Sequence, residues 1–205
     1  YHGIWNGTQL GADEYVISAD EKTSIQARHR SHVEAPGPHR PQRVEFEYKR
    51  AGALAYLAAW DVHRAKIFGL CRNNTGINDF HQLVDLVMQQ EPYRSAHRVF
   101  WITDNGSSHR GTPSVERLSQ WYPTAVQVHT PVHASWLNQI EIYFSIVQRK
   151  VLTPNTCIDL YELENKLLIF QSYYEKIAKP FEWKFTKDDL NTILYKITHS
   201  KKWVA

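Results

Sequence analysis

The 205-residue sequence has little cysteine, almost no methionine and little net charge. Its two cysteines, Cys71 and Cys157, make no Cys-x-x-Cys pair and fit no zinc spacing. That argues against a disulfide scaffold or a zinc ribbon and favours a reduced, intracellular protein. The 11 histidines offer no spaced zinc set either. No apolar run approaches the roughly 18 to 20 residues of a membrane span, and no signal peptide is present. A membrane partner is therefore not expected, and a cytoplasmic location is. Internal repeats, low-complexity tracts and obvious linkers are also missing. Met88 is the single methionine and the chain opens at Tyr1, so the sequence reads as a piece of a longer protein. A net charge of +3 and a pI near 8.8 allow a nucleic-acid partner without demanding one. What is present is an apolar share of 42% and seven tryptophans, enough for one well-packed domain.

Residues 1–14 show no clear periodicity and read as a lead-in to a domain over 15–205. Tyr15 to Ala19 reads as a short buried strand with Asp20 at its end, followed by an extended piece from Ser24 to Ala27. The stretch from Arg28 to Arg43 holds three prolines, four arginines and three histidines, and reads as an exposed basic loop without regular structure. Val44 to Tyr48 alternates as a half-exposed strand does. Ala53–Trp60 and Lys66–Cys71 complete an antiparallel meander around a turn at Asp61. A helix then starts near Asn78, with Phe80, Leu83, Val84, Val87 and Met88 on one side. Arg98–Thr103 is a second buried strand with Asp104 at its end, before the Asn105-Gly106 turn. A short helix over 114–121 and a strand over Ala125–His129 follow.

Next comes a helix capped by Ser135, with Leu137, Ile140, Phe144, Val147 and Val151 sharing a face and Glu141 at its rim. Helices over 158–174 and from Lys187 close the chain, the last capped by Thr186 with Asp189 in its first turn. A meander followed by strand–helix alternation implies an α/β fold, a mixed sheet with helices on its faces.

Sheets of this kind bind ligands beyond the carboxyl ends of their strands. Asp20 and Asp104 both fall at such positions, and parallel pairing of their strands would set them side by side. Glu141 needs only to approach from the helix after the last strand. Three converging carboxylates repel one another unless cations lie between them, and oxygen donors favour Mg²⁺ or Mn²⁺. Two ions about 4 Å apart can clamp both oxygens of an in-line phosphoryl displacement. Each acid taken singly is better explained as a turn or boundary residue.

Three stretches carry a resemblance: Ser-Ala-Asp20-Glu-Lys-Thr, Ile-Thr-Asp104-Asn-Gly-Ser-Ser-His, and Thr-Pro-Val-His-Ala-Ser-Trp-Leu-Asn-Gln-Ile-Glu141. Together they resemble the signatures of bacterial insertion-sequence DDE transposases of the mariner-like superfamily. Thirty-six residues separate Asp104 from Glu141, as in that group. The Lys179-Pro-Phe-Glu-Trp-Lys-Phe-Thr segment is similar to the family's C-terminal signature. The resemblance runs from about Val16 to Thr186. It implies a ribonuclease-H-like fold around a five-stranded mixed sheet, and two Mg²⁺ ions held by Asp20, Asp104 and Glu141. It also implies metal-activated cutting at transposon ends, then attack of the freed 3′-hydroxyl on target DNA at a TA dinucleotide by a homo-oligomeric DNA complex. The sequence departs from the family in lacking a helix-turn-helix region before Tyr15.

Lys22, Asn105, His109, Trp136 and Asn138 beside the acids are candidates to position DNA or water around the metal site, and Arg28, Arg30, Arg40 and Arg43 in the basic segment are candidates for DNA contact. Capping, turn and packing roles stand open for the first five. Two other functions compete with transposition: a nuclease of the same fold without strand transfer, and a domesticated derivative that only binds DNA.

Overall fold

The structure is a computed structural model that describes residues 1–200 apart from 42, 107, 108, 133 and 185; the side chains of 187 and 197–200 are also left out. Positions 107, 108, 133 and 185 of the stretches quoted above, and the expected core position Ile197, therefore lie outside the description.

The elements run β1 (Ile4–Trp5), β2 (Thr8–Gln9), β3 (Glu14–His29), β4 (Val33–Glu34), β5 (Arg43–Val44), β6 (Lys49–Asp61), β7 (Lys66–Arg72), α1 (Ile77–Met88), β8 (Arg98–Thr103), α2 (Gly111–Trp121), β9 (Ala125–His129), α3 (Ile140–Lys150), α4 (Leu160–Glu175) and α5 (Lys187–Ser200). The main sheet has five strands in the order β7-β6-β3-β8-β9. The first three are antiparallel; β3, β8 and β9 are parallel. This is the expected mixed sheet flanked by helices. None of the described helices is long and apolar enough to cross a membrane.

Strand alternation sorts the core onto two faces. Val16, Tyr56, Ala58, Trp60 and Phe100 pack with Ile140, Tyr143, Phe144 and Val147 of α3 and with Leu163 and Leu167 of α4. Ile17, Ala19, Leu57, Ala59 and Trp101 pack on the other face with Phe80, Leu83, Val84 and Val87 of α1 and Leu118 of α2. On β3 the same alternation turns Val16, Ser18 and Asp20 toward α3, and on β8 it does so for Phe100 and Ile102.

Several expectations change. Asp20 does not end its strand: β3 is a single strand of 16 residues, and it continues through irregular register on β6 beyond Lys22. The basic segment is not wholly irregular. Arg28 and His29 finish β3, and Val33–Glu34 pairs with Arg43–Val44 as a small ribbon, because the pair is joined through a tight bridge between Gly37 and Arg40. The alternating stretch from Glu45 to Tyr48 forms no strand; Phe46 is 99% exposed and has no sheet face to cover.

The helix bearing Glu141 starts later than expected. Ser135–Leu137 is a separate 3₁₀ turn, and α3 begins at Ile140 without a side-chain cap. Its buried face includes Tyr143, while Leu137 and Val151 lie outside the helix. Thr186 does cap α5, in a reciprocal pair with Asp189. In α5, Leu190 and Ile193 are half-buried and Leu194 is exposed. Residues 1–14 form a hairpin of β1 and β2 that packs on the same sheet face as α3, with Trp5 against Phe100 of β8.

Candidate active site

The parallel pairing of β3 and β8 ends with Ser18 opposite Ile102. Two residues further along stand Asp20, still within β3, and Asp104, one residue past the end of β8. The sheet register thus brings the two acids level, on the face that α3 covers. β3 owes its direction past Asp20 to its pairing with β6, which continues after β8 has ended.

Asp20 is 7% exposed. Its Oδ1 accepts from the Glu21 backbone N–H at 2.8 Å. Burial, and after it the charge of Asp104, pushes its pKa up to about 7. Asp104 goes the other way. Its Oδ1 accepts from His109 Nε2 at 2.6 Å and from the Gly106 N–H at 2.6 Å, and these bonds hold it below the usual carboxylate range. Glu141 is an exposed residue on the first turn of α3. Partial burial of its carboxyl raises its pKa; Lys22 opposes that rise and Asp104 adds to it. The charge of Asp104 is thus felt by both other acids, and the three form one electrostatic unit.

Two buried groups fix this unit. His109 is fully buried and lies between Asp104 and Glu21, whose Oε1 is 3.8 Å from Nδ1. Burial alone would lower the imidazole pKa, but the bond to Asp104 and the charges of Glu21 and Asp104 raise it. Gly106 is required by close approach: a Cβ there would come within 2.9 Å of both Asp104 Oδ1 and His109 Nε2.

The second group is Asn138, also fully buried. Its Oδ1 accepts from the Ser18 hydroxyl, and its Nδ2 donates to Ala19 O at 2.9 Å and weakly to Asp20 Oδ2 at 3.4 Å. The same Ser18 oxygen accepts from Ile140 N at 2.9 Å. Strand β3 at Asp20 is therefore clasped to the start of α3, one residue before Glu141. Tyr1 braces the other side, its hydroxyl donating to Leu137 O and accepting from Gln139 N.

The sequence candidates thus divide. The structure brings Asp20, Asp104 and Glu141 together, with Lys22 beside Glu141. His109 and Asn138 are fully buried and cannot lie against DNA; they hold the acids instead. Asn105 ties its loop to the end of β9 through Thr130 O at 2.9 Å. Trp136 is 45% exposed. Arg28 and Arg30 stack over Tyr48, and Arg30 also donates to Glu45 O, Asn155 O and Thr156, so its guanidinium is committed to the fold. Arg40 and Arg43 are exposed. Sequence reasoning missed Ser18, Glu21 and Tyr1. Ser18 and Glu21 lie in the first quoted stretch beside Asp20 but were given no role there; nothing in sequence flags Tyr1.

The oxygen-rich donor set suits a hard divalent cation. One ligand atom each from Asp20, Glu21 and His109 lie within 4.8 Å of one another. A carboxyl that burial and, after it, a neighbouring carboxylate keep protonated near pH 7 is also one whose proton a bound cation would displace.

The family described as DDE superfamily endonuclease matches residues 15–164, well over half of the chain. The chain belongs to that DDE superfamily. No curated protein matches it in sequence. Among solved structures, this DDE domain is similar to the mariner Mos1 paired-end complex with Mg, at a TM-score of 0.59 and 12% identity, covering 93% of this chain and 57% of that one. It is similar too to the Mos1 transposase paired-end complex with the left transposon end, at 0.54 and 14%, covering 80% and 48%. The Mos1 strand transfer complex gives 0.51 and 16%, covering 78% and 49%. At these identities the likeness shows the fold, which is ribonuclease-H-like. The DDE chain spans about half the length of the Mos1 chains it matches.

Proposed function

We propose that this chain is the catalytic domain of a DNA transposase, with residues 1–14 as its lead-in and 15–205 as the domain proper. It cuts phosphodiester bonds at transposon ends and joins the freed 3′-hydroxyl to target DNA. What supports the reading is that Asp20 and Asp104 lie level just past the paired stretch of β3 and β8, and that the charge of Asp104 acts both on Asp20 and on Glu141 of α3. Likeness in fold to the Mos1 complexes supports it. By the resemblance in its sequence, the protein comes from a bacterial insertion sequence, works at the nucleoid, inserts at TA dinucleotides and acts as a homo-oligomer on DNA.

Asp20, Asp104 and Glu141 are the residues that would hold two divalent ions, Mg²⁺ or Mn²⁺. Such ions, when bound, polarise the phosphodiester and activate the attacking oxygen. The chain's own residues set the geometry. His109 and the Gly106 N–H fix one oxygen of Asp104 and leave the other for the site. Asn138 and Ser18 hold Asp20 against the start of α3. Lys22 places a cation beside Glu141, where a phosphate approaches.

The test is incubation of a DNA duplex with Mg²⁺ and separation of the products by strand, for the wild type and for Asp20→Asn, Asp104→Asn and Glu141→Gln. Each amide keeps the shape and loses the charge, so cleavage should vanish while the melting transition remains. Normal cleavage by D104N would overturn the assignment. Cleavage without joined products would point to the nuclease without strand transfer, and metal-independent binding alone to the domesticated derivative.

A further inference from the structure

Gln127 sits in the middle of β9 and is buried. Strand alternation turns it, like Ala125, onto the sheet face that α1 and α2 cover. An amide in such a place is costly unless its hydrogen bonds are met. Here they are met on three sides. Its Oε1 accepts from the Ser114 hydroxyl of α2 at 2.7 Å. Its Nε2 donates to Thr103 Oγ1 at 3.1 Å and to His109 O at 3.0 Å. All three partners are buried too.

The choice of partners is informative. Thr103 is the last residue of β8 and directly precedes Asp104. His109 lies five residues after Asp104, and its ring turns back onto Asp104 Oδ1 at 2.6 Å. One amide therefore grips the chain on both sides of that acid. The contacts close into a ring: from Gln127 to Thr103, along the backbone to Asp104, across to the His109 imidazole, and from the His109 carbonyl back to Gln127. A closed ring fixes the span between the strand end and the histidine, and so the distance over which the imidazole reaches Asp104. Its base is firm. Strand β9 is registered on β8 with Trp101 opposite Gln127 and Thr103 opposite His129. His129 Nε2 donates to the same His109 carbonyl at 2.5 Å, so β9 holds that group twice.

The bonds of Gln127 go to Thr103, His109 and Ser114, and none goes to an acid. Resting on the metal-site reading above, we propose that Gln127 is a positioning residue for Asp104: by holding His109 and Thr103 it sets the aim of the Asp104 oxygen left for a cation. Asn138 serves Asp20 in the same way from the α3 side. Each strand acid then has its own buried amide, one on each face of the sheet. A plain structural tie between β9 and α2 would use the same Ser114 bond, but it would stabilise the fold without acting on the metal site.

The experiment is calorimetric titration of the full chain with Mn²⁺, well below every melting midpoint. Gln127→Met keeps the length of the side chain and removes its bonds. Val87→Ala, in the last turn of α1 where the chain heads back to the start of β8, opens a small core defect as a control for general weakening. Q127M should bind Mn²⁺ about tenfold more weakly, the low end for a group that orients a ligand from behind, and V87A should bind as the wild type does. In the Asp104→Asn background Q127M should cost less affinity than in the wild type, because the acid it aims is gone. If Q127M does not fold, Ser114→Ala carries the test: it frees the amide from α2, and affinity should fall. Wild-type affinity in the folded variant, a loss in V87A equal to that in Q127M, or an undiminished loss in the D104N background would each overturn the proposal while leaving the metal site standing. If D104N itself binds Mn²⁺ as tightly as the wild type, the metal-site reading falls and the role of Gln127 falls with it.

Discussion

Replacing Asn138 by alanine should weaken both the fold and the metal site, for one reason. The side chain is fully buried and joins the strand of Asp20 to the helix of Glu141. Its removal takes a partner from the Ser18 hydroxyl and another from Ala19 O. A buried polar group that finds no other partner costs about 1–3 kcal/mol; the 3.4 Å contact to Asp20 Oδ2 is long and adds little. The expected loss is roughly 2–4 kcal/mol, less than the 5–15 kcal/mol of a typical domain, so the variant should fold and melt earlier. Ser18→Ala should lose a similar amount, because Ile140 N then also lacks its acceptor. Urea unfolding measures this part.

Calorimetric titration with Mn²⁺ measures the other part. With Asp20 and Glu141 no longer held to one another, affinity should fall by about 10- to 100-fold. The cycle with Glu141→Gln separates positioning from general weakening. In the E141Q background N138A should cost less metal affinity than in the wild type, because one of the two acids it holds to one another is gone. A wild-type urea midpoint together with wild-type metal affinity in N138A would refute the clasp. An undiminished metal effect in the E141Q background would refute its action through Glu141.

Other expectations follow from the same geometry. Gly106→Ala should lower metal affinity, since its Cβ would push on Asp104 Oδ1 and His109 Nε2; titration at wild-type affinity would show that the loop yields freely. Asp20 keeps a proton in the folded, metal-free protein up to about pH 7, whereas the unfolded chain loses it near 4. Metal-free stability should therefore fall as pH rises between about 4 and 7, the window in which the folded state binds more protons. Metal competes with that proton, so apparent affinity should climb with pH and level off above about 7; a flat profile would contradict it. Among the arginines of the basic segment, Arg40 and Arg43 are the exposed ones, so the pair Arg40→Gln and Arg43→Gln should reduce the slope of log affinity against log salt by about 1.8. An unchanged slope would return the ribbon to a solvated connection.

Elements governed by local pattern were legible in the sequence. Phe80, Leu83, Val84 and Val87 marked α1, Val99 to Trp101 marked β8, and Thr186 with Asp189 marked the cap of α5, because periodicity and capping act within a few residues. The three acids were singled out by the motifs around them, since strand and helix periodicity alone left each one a turn or boundary residue. Ser135 misled as a cap because a 3₁₀ turn and a buried Asn-Gln pair intervene before α3, and their reason lies 120 residues away at Ser18. His109 and Asn138 stayed undecided between DNA contact and packing for the same cause: a polar residue can be placed only once its buried partner is known. Arg30 looked free because the Asn155 and Thr156 groups that occupy it are distant in sequence. Sequence alone thus determined the order of the elements, the faces they bury and the residue types at the site. Only the tertiary structure decided which polar side chains hold the acids and which face solvent, because hydrogen bonds between distant strands and helices leave no periodic trace in the chain.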